Sequence, residues 1–316
     1  MTDLSDDKIT SVRSGLLTWW HANRRDLPWR HTRDPYRIMV SEIMLQQTQV
    51  DRVIPYFHAW LERFPTVHEL AEAPTAEVIR MWKGLGYNRR AVNMQRTAQA
   101  VVQRGGEFPE TVEELLKLPG IGPYTAGAIA CFAFEQDVAF IDTNMRRVIH
   151  RLFVGVDVPK PTASDKEVLA IAQEVLPDGD AWNWNQGIME FGALHCTARK
   201  PLCLICPLQD ECAAFPEIQA ALAENGKPGR KTKSVPFEQT TRYFRGRIVD
   251  ALREHEGQGV ALAEIGPLLR ADFSDEHMTW LVELVNGLER DGLAVVAEDE
   301  APYDASEPPE MRIRLP

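Results

Sequence analysis

The stretch from Leu115 to Val148 constrains the fold of this chain more than any other. It reads Leu-Leu-Lys-Leu-Pro-Gly-Ile-Gly-Pro-Tyr-Thr-Ala-Gly-Ala-Ile-Ala and, a few residues on, Ile-Asp-Thr-Asn-Met-Arg-Arg-Val. Pro119 lacks an amide donor and Gly120 readily turns left-handed, so together they should stop a helix carrying Leu115 and Leu118. Gly122 and Pro123 suit the start of a second helix, whose small residues Ala126, Gly127, Ala128 and Ala130 allow a neighbouring backbone to come close. The pattern predicts a helix, a tight hairpin and a helix. A hairpin of this kind presents backbone N–H groups at a helix N-terminus without bulky side chains, a geometry suited to a phosphate; on these residues alone it is equally an ordinary turn. Asp142 should head the next helix, with its carboxylate facing the same cleft.

Sixty residues further on, Cys196, Cys203, Cys206 and Cys212 follow the pattern C-x6-C-x2-C-x5-C. Four thiols in one short loop suit zinc or an iron–sulfur cluster, although zinc sites usually carry two C-x2-C knuckles and this loop has one. The fifth cysteine, Cys131, sits in an apolar segment and reads as a small core residue, so the set does not form a disulfide framework. Hairpin, aspartate and cysteines, in that order, resemble the helix-hairpin-helix base-excision DNA glycosylases, over about residues 10 to 225. The resemblance implies a [4Fe-4S] cluster on the four cysteines and phosphate contacts at Gly120 and Gly122. It also implies a mainly α fold with two helical lobes: residues 1–30 and 141–225 around the cluster, and a six-helix lobe over 31–140. A linker over 226–236 and a small C-terminal domain over 237–316 complete the expected organisation.

Charge has to be read locally. The formal net charge of −11 over 316 residues opposes nucleic-acid binding if taken globally. Residues 237–316 hold 17 acidic and 8 basic side chains, which leaves only −2 for the rest. Basic clusters stand at Arg24, Arg25 and Arg30, at Arg89 and Arg90, at Arg146, Arg147 and Arg151, and along Lys227, Arg230, Lys231 and Lys233; such runs also occur as plain solvated faces. No run of about 18 apolar residues spans a bilayer, and Met1-Thr-Asp-Leu-Ser-Asp-Asp lacks a basic, then apolar, leader. The expectation is a cytoplasmic, nucleoid-associated monomer with no membrane partner.

In chain order, Ile9, Val12, Leu16, Trp19 and Trp20 recur at helical spacing and mark a first amphipathic helix. Asp34-Pro35 then pairs an N-cap with proline at the first helical position, opening a helix expected to run to about Tyr56. On it Ile38, Glu42, Leu45, Gln46 and Gln49 share a face. A carboxyl among Ile38, Met39, Ile43 and Leu45 is partly desolvated, which raises its pKa toward what a general acid near neutral pH requires; a surface acid on an imperfect stripe is the plainer alternative.

The segment Ser41-Glu42-Ile43-Met44-Leu45-Gln46-Gln47-Thr48-Gln49-Val50 resembles the catalytic helix of the adenine glycosylase branch, the MutY family. That resemblance implies Glu42 as the acid that protonates adenine, Gln47 and Thr48 as readers of the opposite base, and Trp29 and Arg30 as lining of the base pocket. Trp82-Lys83-Gly84-Leu85-Gly86-Tyr87-Asn88-Arg89-Arg90 is a glycine-loosened turn with an aromatic beside two arginines, the kind of part that fills the stack when a base is flipped out. In the family it resembles, Tyr87 is that wedge, with Leu85 also facing DNA. A second tyrosine commonly follows, where this chain has Asn88.

Position 124 separates two chemistries. Relatives with lysine there attack the sugar through a Schiff base and cut the strand; Tyr124 implies a monofunctional glycosylase. In the implied scheme Glu42 protonates the leaving base, Asp142 stabilises the oxocarbenium-like sugar, and Tyr124 and Asn144 orient Asp142 and the water. Asp142 is also an ordinary N-cap by pattern. The expected substrate is double-stranded DNA carrying adenine mispaired with 8-oxoguanine or guanine. Alternatives are a glycosylase for hypoxanthine or mismatched thymine, and a non-enzymatic DNA-binding regulator.

Beyond the linker, the family's usual larger lesion-reading domain does not fit the remaining length. Helices are expected over about Tyr243 to Arg253, about Leu262 to Leu269, and after Ser274, followed by strands at Leu293-Ala-Val-Val and Arg312-Ile-Arg-Leu. This resembles an α/β winged-helix domain. Its charge has the wrong sign for broad phosphate contact, so docking of a protein partner, or a purely structural role, fits it as well.

Overall fold

The computed structural model describes residues 4–225, 235–255, 259–297 and 311–316. The basic run from Lys227 to Lys233 and the acidic turn before Arg312 lie outside them. Among the described residues the helices are α1 (Asp6–Asn23), α2 (Pro35–Leu45), α3 (Val50–Arg63), α4 (Val67–Glu72), α5 (Thr75–Met81), α6 (Arg89–Gln103), α7 (Val112–Leu115), α8 (Pro123–Phe134), α9 (Thr143–Phe153), α10 (Asp165–Glu174), α11 (Ala181–Leu194), α12 (Glu217–Asn225), α13 (Thr241–Glu254), α14 (Leu262–Leu269) and α15 (Met278–Arg290). Three short strands, β1 (Val260–Ala261), β2 (Val295–Ala297) and β3 (Arg312–Arg314), form an antiparallel sheet in the order β1-β3-β2.

Two compact units divide the chain. The first takes residues 1–42, 109–117 and 121–232; the second takes 43–108, 118–120 and 233–316. In this division α8 groups with the cysteine loop.

In the first unit α11 is the central element, packing on α1, α8 and α9. Ile9, Val12, Leu16 and Trp20 of α1 are buried as their spacing predicts. Trp19 is only half-buried and meets Phe191 edge-on with ring centroids 4.9 Å apart. Each fully buried large side chain of this set stabilises the unit by roughly 1.5–3 kcal/mol. The small-residue face of α8 is used as expected: a Cβ on Gly127 would lie 2.6 Å from Cβ of Phe140, so only glycine fits there. The preceding α7 stops at Leu115, short of Leu118, which is nevertheless buried at the turn. Gly120 holds φ +84, the left-handed geometry that the hairpin requires, and a Cβ there would meet Asn93 at 2.7 Å.

In the second unit α4 and α5 pack on α6, around Trp60, Phe64 and Trp82. The C-terminal helices and sheet do not form a separate core. Ile248, Leu252, Ile265, Leu281, Val285 and Ile313 belong to one apolar cluster with Ile79 of α5 and Val92 of α6. The terminal Pro316 carbonyl accepts the amide of Ala76 at 2.9 Å. The three helices and three-stranded sheet are winged-helix-like, with β1 as an unexpected member; at two residues it is too short for period-two alternation to reveal.

One expected helix is two. Rather than running from Pro35 to Tyr56, α2 ends at Leu45 and α3 starts at Val50. Between them Gln47 sits at φ +56. The Arg90 guanidinium accounts for the break: Nη1 donates to the carbonyls of Ile43, Met44 and Gln46 at 2.7, 3.2 and 2.6 Å. It satisfies orphan acceptors at the end of α2 that continued helix would otherwise have used.

Candidate active site and cluster loop

The first unit brings together Glu42, Tyr124, Asp142 and Asn144. Glu42 comes from α2 and is 3% exposed, on a helix whose Ile38, Met39, Ile43 and Met44 are all buried. Tyr124, in the first turn of α8, donates its hydroxyl to Glu42 Oε2 at 2.7 Å. Burial is the main cause that lifts the Glu42 carboxyl to about 7; the Asp142 charge adds to it, while the Tyr124 hydrogen bond and Arg30 oppose it. Burial, then the Glu42 and Asp142 charges, push the Tyr124 phenol well above its ordinary range, so it stays a donor. Tyr124 therefore holds Glu42 by its hydroxyl and feels the charge of Asp142.

Asp142 caps α9, accepting the Met145 amide at 2.7 Å, with Asn144 Nδ2 at 3.4 Å from its other oxygen. The N-cap reading of this residue is what the structure displays. Burial raises its pKa, and the donors from Met145 and Asn144 and the Arg147 charge work the other way. Arg147 donates to Asn144 Oδ1 at 2.8 Å and to the Cys196 carbonyl at 2.9 Å. The side chain next to Asp142 is thereby tied to the start of the cysteine loop.

Arg30 is committed elsewhere. Its guanidinium reaches Gln186 at 2.9 Å and Glu190 at 3.1 Å, and lies 4.7 Å from the ring centre of Trp20. Arg25 binds the same carboxylate at 2.8 and 2.7 Å. Burial alone would raise the Glu190 pKa, but hydrogen bonds from Arg25 and Arg30 outweigh it and hold the carboxyl at about 2. Trp29 is buried. This segment packs on α11, and the Arg30 charge also reaches Glu42.

Of the expected DNA-facing residues, Gln47, Thr48, Leu85, Tyr87 and Gly120 fall in the second unit and Gly122 in the first. Gln47 is exposed and left-handed, and Thr48 is half-buried beside it. Tyr87 is 40% exposed at φ +47, a conformation that costs a tyrosine roughly 1–3 kcal/mol and is typical of functional turns. Its turn is pinned from below: Trp82 Nε1 donates to the Gly86 carbonyl at 2.9 Å, and Arg90 Nη2 donates to Leu85 and Gly86 at 3.1 and 3.2 Å. Leu85 is buried, so only its carbonyl faces these donors. At the hairpin, Thr97 Oγ1 donates to the Pro119 carbonyl at 2.6 Å. Gly122, the N-cap of α8, has open space where a side chain would stand.

Cys196, Cys203, Cys206 and Cys212 line a single cavity walled by Leu152, Phe191, Phe215 and Ile218. Among the described residues no three such ligating side chains converge on one ion position. Four thiols lining one apolar cavity suit a thiolate-bound cluster. His195 lines the same cavity and its Nε2 is buried without a protein partner, a donor left for an inorganic sulfide or a cysteine sulfur. Arg151 places Nη1 3.6 Å from Cys196 Sγ and 2.8 Å from the Thr197 carbonyl, adding positive charge beside an anionic group. The residues fit an iron–sulfur cluster, which when bound would crosslink the loop and supply charge.

Sequence reasoning named Arg25 and Arg90 only as members of basic clusters, and it did not find Glu190 or the Tyr124–Glu42 pair. Each acts across a long chain separation, and no local pattern announces which carbonyl or carboxylate a side chain will reach.

Comparison with known proteins agrees with this geometry. Residues 40–177 match the HhH-GPD superfamily of base excision DNA repair proteins, and residues 196–212 match the iron-sulfur binding domain of endonuclease III. The adenine DNA glycosylase of Mycolicibacterium smegmatis is 42% identical over 245 residues, covering 76% of this chain and 79% of that protein. The mouse adenine DNA glycosylase is 40% identical over 240 residues, 72% of this chain but only 46% of its own length. A solved thermostable thymine-DNA glycosylase superposes with a TM-score of 0.63 at 33% identity, over 68% of this chain and 100% of that one. No helix among the described residues is long and apolar enough to cross a membrane. With four cluster ligands in the order and spacing of the endonuclease III domain and relatives matched over most of its length, the chain belongs to the adenine DNA glycosylase family of helix-hairpin-helix, iron–sulfur base-excision repair proteins.

Proposed function

We propose that this chain removes adenine mispaired with 8-oxoguanine or guanine in duplex DNA by hydrolysing its N-glycosidic bond, leaving an abasic site without cutting the strand. The observation that carries this reading is Glu42: a buried carboxyl, brought to about 7, with a neutral phenol as its hydrogen-bond partner. Such a group keeps its proton near neutral pH and delivers it to a ring nitrogen of the leaving base. Asp142, fixed by the Met145 amide and Asn144, supplies negative charge to the sugar as the bond breaks. No amine stands at position 124, so hydrolysis by water, rather than a Schiff base with the sugar, is the outcome this site supports.

The remaining parts serve the DNA. The open N-terminus of α8 behind Gly122 suits a backbone phosphate, Tyr87 fills the gap left by the flipped nucleotide, and Gln47 with Thr48 reads the base opposite. The enzyme would act at the nucleoid. Likeness to a thymine-DNA glycosylase favours a second reading, removal of mismatched thymine. Single-turnover base release across duplexes with adenine opposite 8-oxoguanine, guanine or cytosine, hypoxanthine opposite thymine, and thymine opposite guanine separates these. Release of adenine opposite 8-oxoguanine and guanine alone is expected. Preferential thymine release would replace the substrate, and release of no base from any duplex would leave a DNA-binding regulator.

A further inference from the structure

The wedge tyrosine is held by the C-terminal domain. Arg242, in the first turn of α13, lies with its guanidinium carbon 3.7 Å from the centre of the Tyr87 ring and donates Nη1 to the Tyr87 hydroxyl at 2.6 Å. The Arg90 guanidinium carbon stands 5.6 Å from the centre of the same ring. The next residue is gripped as well: Arg253, near the end of α13, donates Nη2 to Asn88 Oδ1 at 2.9 Å and two bonds to the Ile79 carbonyl at 3.1 and 3.0 Å. Arg242 and Arg253 lie three helical turns apart, within about 20° of one another around the axis. One face of α13 therefore engages both residues of the turn, and that helix shares an apolar core with Ile79 and Val92.

This placement also gives the departure at Asn88 a use. A short amide at that position accepts the buried Arg253 donor. On α13 itself four arginines, Arg242, Arg245, Arg247 and Arg253, outnumber two acids, Asp250 and Glu254.

We propose that Arg242 is a positioning residue for strand invasion: its stacked guanidinium, projected from the C-terminal domain, holds the Tyr87 ring in the orientation that enters the base stack. The proposal rests on the reading of Tyr87 as the wedge. A planar cation on the ring face restricts the side chain to one orientation before DNA arrives, so less rotamer freedom is lost on insertion. Lysine keeps the charge but not the planar stack or its directed donor, so it replaces arginine poorly here.

The test uses the full-length, cluster-containing protein with Tyr87→Ala, Arg242→Ala, Arg242→Lys and the Tyr87→Ala/Arg242→Ala double variant. Base unstacking is followed by fluorescence of 2-aminopurine placed next to the target adenine, alongside single-turnover base release and thermal melting. Tyr87→Ala should abolish most of the unstacking signal. Arg242→Ala should reduce both signal and rate by about tenfold with unchanged melting, Arg242→Lys should recover only part, and the double variant should be no worse than Tyr87→Ala alone. Arg242→Ala within twofold of wild type, while Tyr87→Ala is impaired, would overturn the role of Arg242. Losses that multiply in full in the double variant would do the same, by showing that Arg242 acts on DNA independently of the tyrosine. If Tyr87→Ala itself retained unstacking, the wedge reading would fail first, and that outcome is distinct from the other two.

Discussion

Glu42→Gln should stabilise the protein while disabling it, and the stabilisation should follow pH. The Glu42 carboxyl has an ordinary pKa of 4.5 and is raised to about 7 by burial. The folded state then binds more protons than the unfolded state between those values, so stability falls as pH rises through the window and the loss is complete above about 7. A shift of this size corresponds to about 3 kcal/mol. Glutamine keeps the shape and an acceptor for the Tyr124 hydroxyl but never ionises. The melting temperatures of wild type and variant should therefore be closest near pH 4.5, diverge as pH rises, and reach a constant gap in favour of the variant above about 7. In parallel, single-turnover adenine release by wild type should decline as pH rises through about 7, because the proton donor is lost. The variant should lose about 10²–10⁴-fold in rate, the contribution typical of a general acid. A melting gap that does not change with pH, or a wild-type rate flat across neutrality, would refute the reasoning, since either means that Glu42 does not titrate in the buried state described.

Glu190→Gln should behave oppositely. Glu190 is held at about 2, so its contribution of about 3 kcal/mol is present above pH 4.5 and lost as pH falls toward 2, and the variant should melt lower at pH 7 with the gap closing in acid. Asp142→Asn should still cap α9, because asparagine caps nearly as well, yet lose at least about tenfold in single-turnover rate, equivalent to about 1.4 kcal/mol of barrier; an unchanged rate would remove the aspartate from the chemistry. Deleting residues 237–316 should lower the melting temperature and solubility of the remainder, since Ile79 and Val92 lose their apolar partners; a truncated chain as stable as the whole would contradict the shared core.

The sequence was most informative where chemistry needs a rare residue type in a fixed order. The cysteine spacing, the hairpin glycines and prolines, and the caps at Ser164 and Asp142 are each visible because few other residues serve there. Periodicity found the buried face of α1 and the extent of α14. It failed at Gln46–Gln49, where neither glycine nor proline marks the break and the decisive group, Arg90, comes from another helix. Arg30, expected in a basic cluster and as lining of the base pocket, is a buried partner of Glu190, a contact made to α11 some 160 residues away. The C-terminal segment reads from its linker and helix pattern as a winged-helix-like domain, and no local pattern says what its apolar faces pack on. Its core is continuous with α5 and α6, and its basic helix meets the Tyr87 turn.

The same unit contains two buried glutamates with opposite fates, and the contrast explains the residue at position 124. Glu190 meets two guanidinium groups and stays ionised; Glu42 meets one neutral hydroxyl and is brought to about 7. A lysine within hydrogen-bond reach of Glu42 would favour its carboxylate form, as the arginines do for Glu190. The proton needed by the leaving base would then be missing at neutral pH. An amine that attacks the sugar and a glutamic acid that protonates the base are thus poor neighbours. Tyr124 resolves the conflict in favour of acid catalysis, because it fixes the Glu42 oxygen at 2.7 Å without supplying a charge. On the proposed function, a phenol in place of an amine does two things: it removes the route to strand cleavage and it preserves the acid on which adenine departure would depend.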